Sequence, residues 1–149
     1  MSKFAVEVKH IPVVTEYPID ANELSKIIRE EHSGWRGIDL DDYYYFHTDW
    51  EGWRKIIEYI LPSMPKYIAE KFDCDNFSKW FSSEVSRLFG LNTCAMVEGW
   101  ADMEDGRGPQ RHKWCVFYDG VHLFQLEPQT GVCMNMNDPL YVPDEIVIG

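Results

Sequence analysis

The longest amphipathic pattern in the chain is a stripe of apolar residues between positions 77 and 89. Its members recur every three or four residues, which is the spacing of a helix that buries one face. They are Phe77, Trp80, Phe81, Val85, Leu88 and Phe89. Asp73 precedes the stripe as a candidate N-cap, and Gly90 follows it as a residue that can end a helix in the left-handed conformation. The pattern therefore predicts a helix whose first residue is Cys74.

Three other segments carry helical signals. Residues 20–31 begin with a capping arrangement at Asp20 and continue as an apolar stripe. Residues 48–61 begin with the capping-box pattern Thr-Asp-Trp-Glu and continue as a second stripe, which Pro62 stops. Residues 65–72 begin with a proline, which suits the first turn of a short helix.

Strand patterns lie at both ends of the chain. Residues 3–9 alternate between apolar and polar side chains, and residues 92–100 also read as a strand. Residues 112–127 are two β-favouring runs around Asp-Gly, which indicates a hairpin, and a last short strand is expected near 132–136. Beyond residue 138 the prolines indicate an irregular tail.

These elements predict an α+β fold in which helices pack on a small antiparallel sheet. The chain of 149 residues is expected to form one domain. Its core spans about residues 48–136, and residues 1–47 form a strand, helix and loop extension.

The predicted hairpin brings a base to a carboxylate. A two-residue turn at Asp119-Gly120 places Tyr118 opposite Val121, and the same register places His112 opposite Glu127. Directly opposed side chains on one face of an antiparallel pair have Cβ atoms about 5 Å apart. A carboxylate at that distance can hold an imidazole N–H and orient the ring.

Cys74 is the candidate nucleophile for this pair. The start of a helix stabilises a thiolate through its unpaired N–H groups, and a nearby imidazolium lowers the pKa of the thiol further. Asp73 and Asp75 oppose this effect, because their negative charges disfavour a neighbouring thiolate.

A resemblance to the papain-like and transglutaminase-like superfamily of cysteine enzymes is carried by two segments, DCDNFSKWFSSEVSRLFGLNTCAMVEGW and HKWCVFYDGVHLFQLEPQT. The order is the same: a Cys opens a helix, a strand follows, a His heads the next strand, and an acid followed by Pro ends the one after it. Within the superfamily the chain looks most similar to the C-terminal protease domain of the Marasmius oreades agglutinin and to related small phage and bacterial proteins. The match covers roughly residues 72–133.

The resemblance implies a thiol protease with a papain-like core. Cys74 would be the nucleophile, His112 the general base and acid, and Glu127 the orienting carboxylate. The implied reaction is hydrolysis of a peptide or isopeptide bond through a thioester acyl-enzyme, with a peptide or protein as substrate. One departure is that no Gln precedes Gln110, so the usual oxyanion-hole Gln is missing.

Further site candidates follow from this interpretation. The candidates for the oxyanion hole or for substrate contact are Trp50, Trp53, Tyr67, Trp114 and Gln125. No cofactor is required, although the resemblance to the agglutinin domain implies calcium. Acidic residues that would hold a hard cation are Asp73, Asp75, Glu98 and Asp102, with Glu104 and Asp105 nearby.

Charge and cysteine usage narrow the expected partners and location. A net charge of −11 argues against nucleic acid and anionic membranes, because phosphates would be repelled. The four cysteines are irregularly spaced and are expected to be reduced thiols. No segment resembles a signal peptide, so a cytoplasmic protein of a bacterium or of a phage-infected cell is expected. The oligomeric state stays open.

A second hypothesis is a catalytically weak or inactive binding or assembly module of a phage or mobile element. It is motivated by the missing Gln, by the acids beside Cys74, and by an aromatic first half of the chain that would form a partner surface. A sulfur far from the His112 ring nitrogens, with no open cleft, would favour this hypothesis.

Overall fold

The computed structural model describes residues 10–148. The predicted strand at 3–9 lies outside the described residues. The helices are α1 (Ala21–Glu31), α2 (Trp50–Ile60), which continues as a 3-10 turn (Leu61–Ser63), and α3 (Cys74–Phe89). The strands are β1 (Tyr17–Asp20), β2 (Gly37–Leu40), β3 (Tyr44–His47), β4 (Cys94–Asp102), β5 (Pro109–Tyr118), β6 (Leu123–Glu127), β7 (Val132–Asn135) and β8 (Tyr141–Ile148).

Within residues 10–148, the main sheet has six strands in the order β2-β8-β4-β5-β6-β7, and β1 pairs with β3 in a separate two-stranded sheet. Strands β2 and β8 are parallel, and the other neighbours in the main sheet are antiparallel. The expected fold of helices on a small antiparallel sheet was therefore wrong, because the sheet is mixed and is the largest element of the fold.

The predicted irregular tail after residue 138 was also wrong. Strand β8 lies inside the sheet, between β2 and β4. Its proline, Pro143, pairs with Gly99 where the register between β4 and β8 shifts, and a bulge of this kind is a position where a strand tolerates proline. The proline that indicated a tail therefore lies at a local irregularity of a paired strand.

Each face of the main sheet packs against helices. On one face, Leu24 and Ile28 of α1 pack against a buried cluster that includes Val97, Trp114 and Ile146. On the other face, α2 and α3 pack against the sheet through a second cluster: Trp53, Ile56, Ile60, Phe81, Val85, Leu91, Cys94, Cys115, Phe117 and Leu126. Burial of apolar surface on both faces holds the N-terminus of α3 against β5.

The predicted N-caps are confirmed at Asp20 and Asp73, whereas the cap predicted at Thr48 lies one residue later, at Asp49. The Asp20 carboxylate accepts the Glu23 N–H at 2.8 Å, which caps α1. Asp49 is the N-cap of α2, and Asp73 holds the same position before α3. Gly90 ends α3 with a φ of 68°, as predicted for a residue in the left-handed conformation.

The predicted helix at 65–72 was wrong. The chain doubles back there, with a bridge between Ile68 and Phe72 and with Glu70 at a φ of 63°. A segment this short is not stable as a helix in isolation, so tertiary contacts decide its shape. Phe72 packs edge-to-face on Phe77 with ring centroids 4.7 Å apart, which ties the turn to α3.

The hairpin register differs from the prediction by two residues. Tyr118 pairs with Leu123 and Cys115 with Leu126, so the connection has four residues. The Asp119 carboxylate accepts the N–H groups of Val121 and His122, each at 2.8 Å, and this turn widens the loop. A shift of two keeps every side chain on its predicted face, whereas a shift of one would reverse it.

Among the described residues, no helix is long and apolar enough to cross a bilayer.

We predict that Gly99→Ala lowers the free energy of unfolding by about 2 to 3 kcal/mol, because the added methyl group overpacks a backbone contact. A Cβ at this position would lie 2.2 Å from the Val142 carbonyl oxygen and 2.6 Å from the Pro143 Cα. Urea denaturation measures the loss. The control is Gly37→Ala in β2, where the nearest atom to the new Cβ is Glu145 Cγ at 4.0 Å. Equal losses in the two variants would contradict this explanation.

Candidate functional site

Glu127, at the end of β6, is a buried carboxylate with three donors. His112 Nε2 lies 2.6 Å from its Oε2, and the Tyr141 hydroxyl lies 3.3 Å from the same oxygen. The Gln129 N–H donates to Oε1 at 3.2 Å. Because Glu127 is only 1% exposed, these bonds replace the water that an ionised carboxylate would otherwise need.

His112 lies near the start of β5, with its ring stacked on Trp114 at a centroid distance of 5.8 Å. Burial by itself lowers the pKa of His112, but hydrogen bonds to Cys74 and Glu127 outweigh burial and raise the pKa to about 9. Glu127 engages Nε2, so Nδ1 is the nitrogen left to face the thiol. The imidazole is therefore held in its charged form at neutral pH.

Cys74 is the first residue of α3, as the apolar stripe predicts. The hydrogen bond to His112 lowers the pKa of the Cys74 thiol; burial opposes this effect, and the Lys113 backbone adds to it. The helix N-terminus favours the thiolate in the same direction. The arrangement can therefore hold a thiolate beside an imidazolium.

The two acids that flank Cys74 are occupied with other partners. Asp75 lies 3.2 Å from the Lys79 ammonium group. A hydrogen bond from Asp73 to Asp75 raises the pKa of Asp73 and lowers that of Asp75. The charge of Asp73 still raises the pKa of Cys74, but by less than the hydrogen bond to His112 lowers it.

An open cleft of about 550 Å³ lies over Cys74 and His112. Its lining is mostly polar and consists of Tyr67, Asp73, Cys74, Ala101, Met103, Arg107, Gln110, Arg111, His112 and Gln129. A more apolar groove of about 700 Å³ adjoins it and shares Tyr67 and Gln129 with it. The thiol therefore lies in the more polar of two cavities that share lining residues.

The structure brings Cys74, His112 and Glu127 together, which the sequence predicts. The pairing of His112 with Glu127 is diagonal instead of directly opposite, since the register places Glu127 across from Trp114. Diagonal neighbours on one face are still within reach of long side chains.

Of the five candidates for the oxyanion hole or substrate contact, only Tyr67 lines the cleft. Trp53 is buried and donates its indole N–H to the Tyr118 carbonyl at 2.8 Å. Trp114 and Gln125 are buried, and the Trp114 indole N–H donates a hydrogen bond to the Gln125 side-chain oxygen at 2.8 Å. Trp50 packs on Phe124 with ring centroids 4.7 Å apart. These four residues serve packing, because helical or strand spacing alone does not distinguish a core aromatic from one that faces a ligand.

The cation site expected at Asp73, Asp75, Glu98 and Asp102 stays a prediction. Among residues 10–148, no three His, Cys, Asp or Glu side chains come close enough to hold a metal ion. Asp75 pairs with Lys79, Glu98 pairs with Arg111 at 3.5 Å, and Asp102 accepts the backbone N–H of Glu104. Three of the four acids are therefore engaged by an ion pair or by a turn.

Several residues of the site were not predicted. Arg107, Gln110 and Arg111 reach the cleft from the start of β5 and the loop before it. Gln129 lies two residues after Glu127, and this nearness in sequence to the carboxylate was a signal that could have identified Gln129 as a site residue. Tyr141 had no such signal, because its segment reads as a tail.

A scan against protein-family models gives no match, and a search of curated proteins gives no significant match. Solved structures do share the fold. One is described as a complex of PSL1a with E64; it has a TM-score of 0.67 and 20% identity, over 87% of this chain and 51% of that chain. Another is Polyporus squamosus lectin bound to the human-type influenza-binding epitope Neu5Aca2-6Galb1-4GlcNAc, with a TM-score of 0.58 and 19% identity, over 78% of this chain and 44% of that chain. This chain thus spans about half the length of these proteins.

These neighbours correct the predicted identification. One of them is described as a lectin with a bound glycan and the other as a complex of PSL1a with E64, and neither is described as a papain-like or transglutaminase-like enzyme. The predicted cysteine hydrolase, with its description as a thiol protease, was therefore wrong. The physical reason is that a Cys, a His and an acid in contact define a reactive thiol but do not define a reaction.

We predict that iodoacetamide labels Cys74 at least about tenfold faster than Cys94, Cys115 or Cys133 at about pH 7, because only a thiolate is nucleophilic. Burial raises the pKa of Cys133, and the pKa of Cys115 is raised by its contact with Cys94 and by burial, whereas that of Cys74 is lowered. Mass spectrometry of the alkylated peptides measures the four rates.

His112→Ala is expected to slow this labelling about tenfold at neutral pH and to have little effect at high pH, where the thiol ionises without help. His122→Ala is the matched control, since His122 pairs with Glu31 at 2.8 Å on the surface. Uniform labelling of the four thiols, or equal effects of the two histidine variants, would contradict the proposed geometry.

Proposed function

We propose that this chain is a ligand-binding module and that its ligand lies in the cleft over Cys74 and His112. The observation that carries the proposal is the cleft itself, in which amide, guanidinium and imidazole groups converge beside an exposed aromatic ring. A concave site with a few convergent polar groups is the usual form of a small-ligand site. The thiol lies against the His112 ring under an open cleft, which is not the geometry expected for the binding hypothesis, so the proposal rests on the polar lining of the cleft and on the neighbouring lectin structure.

A glycan is the ligand class that we propose. Support comes from the glycan described in complex with Polyporus squamosus lectin, whose chain this one matches over 44% of its length. Sugar hydroxyl groups need several hydrogen-bond partners at once. The Gln129 amide supplies donors and an acceptor, and the Gln110 amide oxygen supplies a second acceptor, because the Gln110 N–H groups donate to the Arg107 and Pro109 carbonyls. The glycan proposal therefore rests on a polar cleft as well as on the fold.

Tyr67 is the proposed stacking platform. Its side chain is 57% exposed, and it lies where the cleft meets the adjoining apolar groove. An aromatic ring in this position offers an apolar face to the C–H groups of a sugar and a hydroxyl to its polar edge.

Arg107 and Arg111 carry the guanidinium groups of the cleft that would face the carboxylate of a sialic acid. Each also pairs with an acid of this chain, Arg107 with Asp105 at 2.7 Å and Arg111 with Asp144 at 2.6 Å. An anionic sugar would therefore share these guanidinium groups with carboxylates that are already present. Because the chain carries a net charge of −11, binding of an acidic glycan should weaken at low ionic strength.

Protection of Cys74 from iodoacetamide tests this proposal. We predict that Neu5Aca2-6Galb1-4GlcNAc slows alkylation of Cys74 and leaves the rate at Cys133 unchanged, because a bound glycan covers the cleft. Tyr67→Ala should weaken the protection by about tenfold in concentration, the cost of a lost stacking contact. Tyr43→Ala is the matched control, since Tyr43 is 88% exposed and does not line the cleft.

Isothermal titration calorimetry with the same glycan completes the test. Glycan binding that leaves the alkylation of Cys74 unchanged would overturn the proposed position of the ligand. Absence of glycan binding would overturn the ligand class. Consumption of peptides that depends on Cys74 would overturn the binding function as a whole.

A further inference from the structure

We propose that Tyr141 is a positioning residue that holds the Glu127 carboxylate and, through it, the charge of His112. This inference deepens the proposed function, because it concerns the groups beneath the same cleft. The Tyr141 hydroxyl lies 3.3 Å from Glu127 Oε2, the oxygen that also faces His112 Nε2 at 2.6 Å. One carboxylate oxygen thus joins a phenol to an imidazole.

The tyrosine is fixed from several directions. It begins β8 and pairs with Ala101 of β4. Its ring packs edge-to-face on Trp114 with centroids 5.3 Å apart, and its carbonyl accepts the Gln125 side-chain N–H at 3.1 Å. A ring held by a strand register, an indole and a buried amide leaves its hydroxyl little freedom to turn away from Glu127.

The hydroxyl is a donor throughout the physiological pH range. Burial and the negative charge of Glu127 raise the pKa of Tyr141, so the phenol stays protonated. The Met103 sulfur lies 3.1 Å from the same hydroxyl, but a thioether is a much weaker acceptor than a carboxylate. The Tyr141 hydroxyl therefore donates its single hydrogen to the Glu127 carboxylate.

Removal of the Tyr141 hydroxyl would raise the pKa of the Cys74 thiol through two intermediate groups, Glu127 and His112. The Glu127 carboxylate would keep only His112 and the Gln129 N–H as donors, so its ionised form would be less well stabilised in a site with almost no water. A less stable carboxylate supports the His112 imidazolium less well. A weaker imidazolium in turn stabilises the Cys74 thiolate less.

The experiment compares the full chain with its Tyr141→Phe variant, which keeps the ring and removes only the hydroxyl. The acidic limb of the Cys74 alkylation profile should move to higher pH by about 0.5 to 1 unit, the shift expected for one hydrogen bond. The rate at high pH should not change. Tyr118→Phe is the matched control, since Tyr118 is a similarly buried tyrosine that does not contact Glu127.

A double variant shows whether the effect passes through the carboxylate. Tyr141→Phe should shift the profile in the parent chain but should add no further shift in the Glu127→Gln background. A shift of equal size in both backgrounds, or superimposed profiles for Tyr141→Phe and the parent, would overturn the positioning role.

NMR titration of the His112 ring separates this inference from the proposed function. The His112 pKa should fall in Tyr141→Phe whether or not the cleft binds a glycan. An unchanged His112 pKa would overturn the role of Tyr141 even if a glycan protects Cys74. A lowered pKa together with an absence of glycan protection would keep the role of Tyr141 and overturn the ligand.

Discussion

A buried carboxylate is the group on which the rest of the site depends. Glu127 is almost without solvent contact, and an ionised carboxylate in that position is stable only when its oxygens are hydrogen-bonded. Its partners come from three different parts of the chain: His112 from β5, Gln129 from the turn after β6, and Tyr141 from β8. The fold is therefore arranged so that three segments meet at one acid.

The sheet and the helices have separate parts in this arrangement. Strands β5, β6 and β8 supply the acid, the imidazole and the phenol, and they are held together by backbone pairing and by two apolar clusters. Helix α3 supplies the thiol at its N-terminus, where the free N–H groups favour negative charge. The charge on His112 and the lowered pKa of Cys74 arise because the start of β5 lies against the start of α3.

Local patterns in the sequence were sufficient for α1, α2 and α3 and for the three central residues of the site, although they also predicted a helix at 65–72 that does not form. The apolar stripe after Asp73 placed Cys74 at a helix start, since caps and periodicity are properties of neighbouring residues. The hairpin placed His112 and Glu127 on one face even though its register is displaced by two, because side chains on a strand alternate with a period of two.

The features that were missed depend on long-range contacts. Strand β8 pairs with β4 and β2, which are far away in sequence. Because local pattern does not show these pairings, its proline predicts an irregular tail, and the role of Tyr141 is not predicted. The polar lining of the cleft comes from a loop and a strand start that have no pattern of their own. Local pattern predicts function less well than it predicts structure. Cys74, His112 and Glu127 are compatible both with a reactive thiol under a binding cleft and with a hydrolase.

The most direct test of the central claim is a pH titration of the ultraviolet absorbance of the thiolate, taken as the difference between the parent chain and Cys74→Ser. If Glu127 holds a charged His112 beside Cys74, the thiolate band is already present at about pH 6, and Glu127→Gln reduces it at that pH. A band that emerges only near the ordinary thiol pKa, and that is indifferent to Glu127→Gln, would contradict the claim.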